Sequence, residues 1–254
     1  MLALERRKKI MDLIEKNDSI RVQDLSKKFE VTEETIRRDL DKLVEMGYIK
    51  RTYGGAVLNE SVNKDTPFDT RKIQNIKEKD IIAQIVIEYI NDGDTLMMDS
   101  SSTALQVAKL LKQKEDVTVI TNSVPIILEL SRCNNINIMS SGGTLRRSSL
   151  SLVGCYAEEM LEKYNVDTTI ISCKGIRMDK GIMESNEIEG RIKQVMIDAA
   201  DKVFLLADGT KIDRTSFFTM SGFDNIDMFF TDTVLPKEWE RFLGRNNVQY
   251  ITKN

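Results

Sequence analysis

From residue 76 onward the chain alternates short β-rich runs with amphipathic stretches, and this rhythm restricts the fold more than any other feature. Six runs read as strands: 95–98 "TLMM", 117–120 "VTVI", 136–139 "INIM", 169–172 "TIIS", 203–207 "VFLLA" and 226–230 "IDMFF". Helical periodicity falls near 103–113, 124–132, 154–164 and 188–200, and in "IIAQIVIEYI", with apolar pairs at 81/82, 85/86 and 89/90. Strands separated by helices cannot pair as hairpins. They require crossovers, hence a mainly parallel sheet covered by helices on both faces. An α/β domain with a Rossmann-like sheet is expected over 75–254.

The first 57 residues have a different rhythm. "LERRKKIMDLIEK" places apolar residues at 4, 10, 11, 13 and 14, a helical stripe. "RVQDLSKKF" is a short helix with Val22, Leu25 and Phe29 inward. In "VTEETIRRDL", Thr32 is a good N-cap, and Glu33 and Glu34 occupy the first turn, where the helix dipole favours acids. Ile36, Leu40, Leu43 and Val44 form the buried face, and Gly47 stops the helix near Met46. "YIKRTYGGAVL" then reads as a strand pair with Gly54-Gly55 at its turn. Residues 58–74 are polar and aperiodic, as in a linker.

Composition removes several classes. The 254 residues include no histidine, which excludes His-dependent triads, His general bases and zincin sites. Cys133, Cys155 and Cys173 lack metal-ligand spacing and read as reduced, small buried residues in a reducing compartment. The most apolar window is ten residues long and contains Gln84 and Glu88, too short and polar to cross a bilayer. A cytoplasmic chain without membrane contact is expected. No G-x-G-x-x-G or G-x-x-x-x-G-K is present, so neither a dinucleotide cofactor nor a P-loop is expected. Net charge is −3 in total, with +2 over residues 1–57. That balance permits nucleic-acid contact at the N-terminus without requiring it.

Two sets of residues carry chemistry. Three short helices followed by a β-hairpin make a winged helix-turn-helix, whose third helix enters the major groove. With Ile36, Leu40 and Leu43 inward, Thr35, Arg37 and Arg38 face outward. Arginine suits paired hydrogen bonds to guanine edges or phosphate. Asp39 is placed to brace a neighbouring cation, and Lys50 and Arg51 on the wing to touch the DNA backbone. On spacing alone, a solvated helix in a protein-interaction module fits equally. In the second part, three consecutive strands end in "DSSST" (99–103), "TNS" (121–123) and "SGGT" (141–144). Ligands of open α/β sheets lie beyond the carboxyl ends of the strands, where hydroxyls and helix N-termini bind anions, phosphate above all. "LADGTK" brings Asp208 and Lys211 to another strand end. Glu189 and Lys193, four residues apart, fit a surface ion pair.

The segment "RKKIMDLIEKNDSIRVQDLSKKFEVTEETIRRDLDKLVEMGYIKRTYGGAV", with "TIRRDL" and "YGGA" in it, resembles the N-terminal domain of the DeoR family of bacterial transcription regulators. "DSSST", "TNS", "SGGTLR", "LVG", "GI…E.N.IE…K..M" and "LADGTK" resemble that family's effector domain, which is related in fold to ribose-5-phosphate isomerase. The resemblance implies that Thr32, Glu34, Thr35, Arg37, Arg38, Lys50, Arg51, Tyr53, Gly54 and Gly55 meet a double-stranded operator. It implies a phosphorylated sugar at Asp99, Ser100, Ser101, Ser102, Thr103, Thr121, Asn122, Ser123, Gly142, Gly143, Glu189, Asp208 and Lys211. Together these give a repressor of a sugar-catabolism operon, acting as a homo-oligomeric dimer or tetramer, with neither cofactor nor metal. Ser101 replaces a more usual glycine, Cys155 a frequent proline, and "DGTK" departs from Asp-Ser-Ser-Lys. Lys174 stands where a small or apolar residue is usual. The sugar therefore stays open among fructose, galactitol, tagatose, glycerol and deoxyribose phosphates. The alternative is a sugar-phosphate isomerase with an appended helix-turn-helix, using Asp99, Glu189, Asp208 and Lys211 for proton transfer.

Overall fold

The computed structural model describes residues 3, 6–7, 9–10, 13–14, 19–45, 49–58 and 66–253. The chain divides into two compact units, Met1–Thr70 and Arg71–Asn254. Leu4, Met11, Met46, Gly47 and the stretch 59–65 of the expected linker lie outside the described residues.

In the first unit the described residues between 3 and 14 are helical. They are followed by β1 (Ser19–Arg21), α1 (Val22–Phe29), α2 (Glu33–Glu45), β2 (Ile49–Thr52) and β3 (Gly55–Leu58). The core holds Ile10, Ile14, Val22, Leu25, Ile36, Leu40 and Leu43, as the stripes predict, together with Ile49 and Ala56 from the wing, while Phe29, expected inward, is partly buried. Val44 departs from that prediction, because it lies at the edge of the stripe and is partly exposed. Residues 19–21 form a strand, so Arg21, expected to open the short helix "RVQDLSKKF", instead precedes it. β1 pairs with β3 and β3 with β2, so the wing is the outer part of a three-stranded sheet ordered β1-β3-β2.

That pairing makes Gly55 a fixed requirement. A Cβ built there would lie 1.9 Å from the Ile20 carbonyl oxygen, and backbone cannot yield as a side-chain tip can. Gly55→Ala is expected to destabilise the first unit by about 1–3 kcal/mol through overpacking. Thermal unfolding of the variant would check this, and an unchanged melting point would show that the strand pair yields freely.

Residues 68–73 lie within the expected linker but form a helix, α3 (Phe68–Ile73), with Phe68 and Thr70 buried. The second unit continues with α4 (Ile76–Val86), β4 (Thr95–Met98), α5 (Ser102–Leu110), β5 (Val117–Thr121), α6 (Val124–Leu130) and β6 (Ile136–Ser140). Then come the hairpin β7 (Thr144–Arg146) and β8 (Ser151–Val153), α7 (Cys155–Leu161), β9 (Val166–Ser172), β10 (Gly175–Arg177) and β11 (Gly181–Glu184). The chain closes with α8 (Glu187–Asp198), β12 (Ala200–Leu206), β13 (Phe218–Ser221), β14 (Met228–Thr231), α9 (Lys237–Arg245) and β15 (Gln249–Thr252).

Seven strands form one parallel sheet ordered β15-β14-β12-β9-β4-β5-β6. Strand order reverses between β4 and β9. In a doubly wound sheet this reversal opens a crevice at the carboxyl ends, where ligands bind. All six expected strands are present. The hairpin, the small antiparallel sheet β10-β11-β13 and the final α9–β15 unit complete the fold. Of the cysteines, Cys173 is buried, Cys133 intermediate and Cys155 exposed. Burial pushes the Cys173 thiol up to about 12, so it serves as packing and not as a nucleophile.

Candidate DNA-binding and effector-binding sites

In the first unit the candidate DNA-reading residues lie on α2 and the wing. Thr32 caps α2: its hydroxyl accepts from Thr35 N at 3.2 Å and lies 2.9 Å from the Thr35 hydroxyl. Thr35 is therefore half-buried and engaged with the cap rather than fully outward. Glu34, Arg37 and Arg38 are exposed. Arg37 pairs with Glu33 at 3.1 Å and Arg38 with Glu34 at 3.5 Å, each one turn apart. Such surface pairs are weak, so both guanidinium groups can be given up to DNA at little cost. Asp39 braces a cation as expected: it is buried and holds Arg6 Nε at 2.5 Å, fixing α2 to the N-terminal helical run.

On the wing, Lys50 and Arg51 are exposed, with Arg51 3.2 Å from Asp41 at the outer edge of α2. Tyr53 projects fully into solvent. Gly54 has φ +84, a left-handed conformation that a side chain would strain. Its carbonyl accepts from Val22 N at 2.9 Å, tying the wing turn to the start of α1.

In the second unit the three loops end the neighbouring strands β4, β5 and β6, the first of them at the switch point. Asp99 is fully buried; its Oδ1 accepts from Ser101 N and its Oδ2 from Ser172 N, both at 2.9 Å. It thereby joins the ends of β4 and β9. Ser101 caps α5, accepting from Ala104 N. Ser100, Ser102 and Thr103 are buried beside it. Thr121 donates its hydroxyl to Met98 O at 2.6 Å and accepts from Ser123 N, while Ser123 caps α6. Asn122 donates to Leu152 O at 3.1 Å, and its Oδ1 is buried without a hydrogen-bond partner. A buried acceptor of this kind is costly unless a ligand or water supplies a donor. Gly142 and Gly143 both adopt positive φ, and a Cβ on Gly143 would lie 2.7 Å from Val153 O.

Asp208 sits at the end of β12. Its Oδ1 accepts from Thr210 N, Thr210 Oγ1 and Asn75 Nδ2. Burial opposes its charge, but Lys211, the two Thr210 donors and Lys79 outweigh that and lower it. Its carboxylate is thus largely engaged within the turn, and Lys211 is partly exposed.

Glu189 and Lys193 do not form the surface pair that their spacing also fits. Both side chains are buried. Glu189 accepts from Ser151 Oγ at 2.7 Å and lies 3.5 Å from Arg146 Nη1. Lys193, one turn further along α8, donates to Ser172 O at 2.7 Å and Glu184 Oε2 at 2.5 Å and lies 3.1 Å from Asp99 Oδ2. Burial alone would lower its ammonium, yet Glu184 and Asp99 hold it raised. Burial likewise opposes the Glu184 charge, and Lys193 brings that carboxyl down to about 2. Glu184, Ser149, Ser151 and Arg146 also belong to this cluster, and their spacing in the sequence does not mark them as site residues. The string "GI…E.N.IE…K..M" contains Glu184 and Lys193, and "SGGTLR" ends in Arg146; these stretches are the signals that point to the cluster.

A winged helix-turn-helix joined to a parallel α/β unit with polar loops at its switch point defines a DNA-binding regulator carrying a sensor unit. The chain belongs to the DeoR family: residues 6–62 match the DeoR-like helix-turn-helix domain and residues 74–233 the DeoR C terminal sensor domain. It is 40% identical over 235 residues to the uncharacterized HTH-type transcriptional regulator YulB of Bacillus subtilis (strain 168), spanning 92% of this chain and 91% of that one. It is 34% identical to the HTH-type transcriptional regulator GlpR of Haloferax volcanii, spanning 94% and 93% of the two chains. It is also 34% identical to the HTH-type transcriptional repressor GlcR of Bacillus subtilis (strain 168), spanning 97% and 95%. Among solved structures it is similar to a D-ribose-5-phosphate isomerase in complex with phospho-erythronic acid, at 15% identity, 54% of each chain and a TM-score of 0.41. The relatives are regulators, and the chain is a transcriptional regulator rather than an enzyme. Among the described residues no helix is long and apolar enough to cross a membrane.

Proposed function

We propose that this regulator is a repressor of a sugar-catabolism operon, held on a double-stranded operator by α2 and the wing and released by a phosphorylated sugar. The observation that supports the reading is that Asp99–Thr103, Thr121–Ser123 and Gly142–Gly143 follow three neighbouring strands, β4, β5 and β6, at the carboxyl edge of a parallel sheet, beginning at its switch point. These loops offer backbone N–H groups, hydroxyls and the N-termini of α5 and α6, which is the chemistry that holds phosphate. In this reading Asn122, Glu189 and Asp208 take sugar hydroxyls, and Lys211 lies near the phosphate. The names of the relatives, a repressor among them, support the direction of control.

Release follows from linkage. A ligand that binds one arrangement of the sensor units more tightly favours that arrangement, and thereby changes DNA affinity by the same coupling free energy. A homo-oligomer, dimer or tetramer, would place paired α2 helices about 34–36 Å apart, one turn of DNA. The test is thermal unfolding against phosphates of fructose, galactitol, tagatose, glycerol and deoxyribose, each beside its unphosphorylated parent. A ligand that binds only the folded state raises the melting point. A rise with one phosphate and not its parent is expected; no response to any phosphate would remove the sugar-phosphate reading.

A further inference from the structure

The residues expected to hold an anion present a charge problem. Asp99, Glu184, Glu189 and Asp208 are all buried carboxylates at this end of the sheet. Lys193 does not solve it. Three oxygens surround its ammonium, those of Ser172, Glu184 and Asp99, and an ammonium has three N–H donors. Lys193 with its two carboxylates is a closed group carrying one net negative charge. Lys211 is shared with Asp208, so among four buried carboxylates an incoming phosphate gains from a second cation.

The hairpin β7–β8 brings one. It is bound to the anion loops by main-chain contacts: Leu152 N donates to Asn122 O at 2.7 Å, Val124 N donates to Leu150 O at 3.0 Å, and Ser123 bridges to Ser151. On its first strand Arg146 is mostly buried; it donates to the buried Ser149 hydroxyl at 3.1 Å and faces Glu189 at 3.5 Å. The 3.5 Å pair is longer than a charge-assisted hydrogen bond, near 2.7–2.9 Å. Glu189 meanwhile has a closer partner in Ser151. Asn122, bonded to Leu152 of the same hairpin, carries the buried Oδ1 that has no partner.

Resting on the reading of this unit as a sugar-phosphate sensor, we propose that Arg146 is the residue that selects for the phosphorylated ligand. It exchanges its loose pairing with Glu189 for a forked pair of hydrogen bonds to the phosphate, a geometry guanidinium fits and ammonium does not. Glu189, relieved of Arg146, turns to a ligand hydroxyl, and the hairpin that had been pinned to α8 through Glu189 becomes sensitive to occupancy. Phosphate recognition and hairpin position are then one event.

The test is calorimetric titration of the full-length protein with the five sugar phosphates named above, their parents and inorganic phosphate. The wild type is expected to bind one sugar phosphate well above its parent. Arg146→Gln is expected to weaken that ligand by roughly 10- to 100-fold, the effect of removing one charged hydrogen-bonding partner, bringing it toward the parent sugar. Glu189→Gln removes the competitor for Arg146, so inorganic phosphate should bind it several-fold more tightly than wild type. Unchanged affinity in Arg146→Gln would overturn the proposal while leaving the sensor reading intact. A wild type that does not distinguish any phosphate from its parent would overturn both. If Arg146→Gln does not fold, Glu189→Gln decides, and equal or weaker phosphate binding there contradicts the proposal.

Discussion

Lys193→Met is expected to lower the stability of the sensor unit by about 3–5 kcal/mol, the cost of removing one partner of a buried ion pair. The size follows from what stays behind. Glu184 and Asp99 are both buried, and each keeps a carboxylate whose cation has gone. In a unit of this length the melting point should fall by roughly 6–20 °C. The effect has a pH signature. The Glu184 carboxyl, ordinarily near 4.5, is lowered to about 2 in the folded state. Its contribution is therefore present above about 4.5 and is lost as pH falls toward 2. Lys193 is raised, so its contribution is complete below its ordinary value of 10.5 and is lost only as pH rises through the folded one. In Lys193→Met the buried carboxyl prefers to be protonated, so acid stabilises the variant relative to wild type. The gap in melting point should be widest near neutral pH and narrow below about pH 4.5. A gap independent of pH would mean that Lys193 acts through packing alone.

The second large effect concerns DNA. Replacing Arg37 and Arg38 together by alanine is expected to abolish operator binding, at about 1–3 kcal/mol for each arginine hydrogen-bonded to a base edge. Folding should survive, because both side chains are exposed and give up only surface pairs with Glu33 and Glu34. For the wild type, log affinity should fall linearly with log salt, and the slope should shrink by about one for each phosphate that a variant no longer neutralises. Anisotropy titrations over a salt series would measure both. Unchanged affinity in the double variant would remove α2 as the reading helix.

Legibility of the fold in the sequence followed the length of each periodic signal. Ile10, Ile14, Ile36, Leu40 and Leu43 were recoverable because a helical stripe repeats over several turns. The six principal strands were recoverable because each is a short, mostly apolar run bounded by polar or glycine residues. The hairpin β7–β8 was not, because three-residue strands such as "TLR" and "SLV" are too short for a period-2 signal. The same holds for β1, whose three residues are strand only because β3 returns beside them. α9 is amphipathic in sequence, with Trp239 and Leu243 buried, yet it stands alone after the last long apolar run and has no repeat to announce it.

The candidate site divides in the same way. Loops at strand ends are local features, and residues such as Asp99, Thr121 and Ser123 could be named from them. Lys193 could not be read correctly. Its spacing from Glu189 fits a surface pair as well as it fits two adjacent buried positions. What decides between them is Asp99, far earlier in the chain, and Glu184 on a neighbouring strand. Arg146 closes the stretch "SGGTLR" that carries the resemblance, but its pairing with Glu189 is not legible there, because only the fold joins the two.

The central claim is that a phosphorylated sugar bound to the sensor unit controls DNA affinity. The most direct measurement is anisotropy of a labelled duplex, selected from random DNA by the protein itself, titrated with the sugar phosphates and their parents. Release of the duplex by one phosphate ester, with its parent sugar inert, is the predicted result. DNA affinity that no phosphate changes, in a protein that binds the duplex tightly, would contradict it.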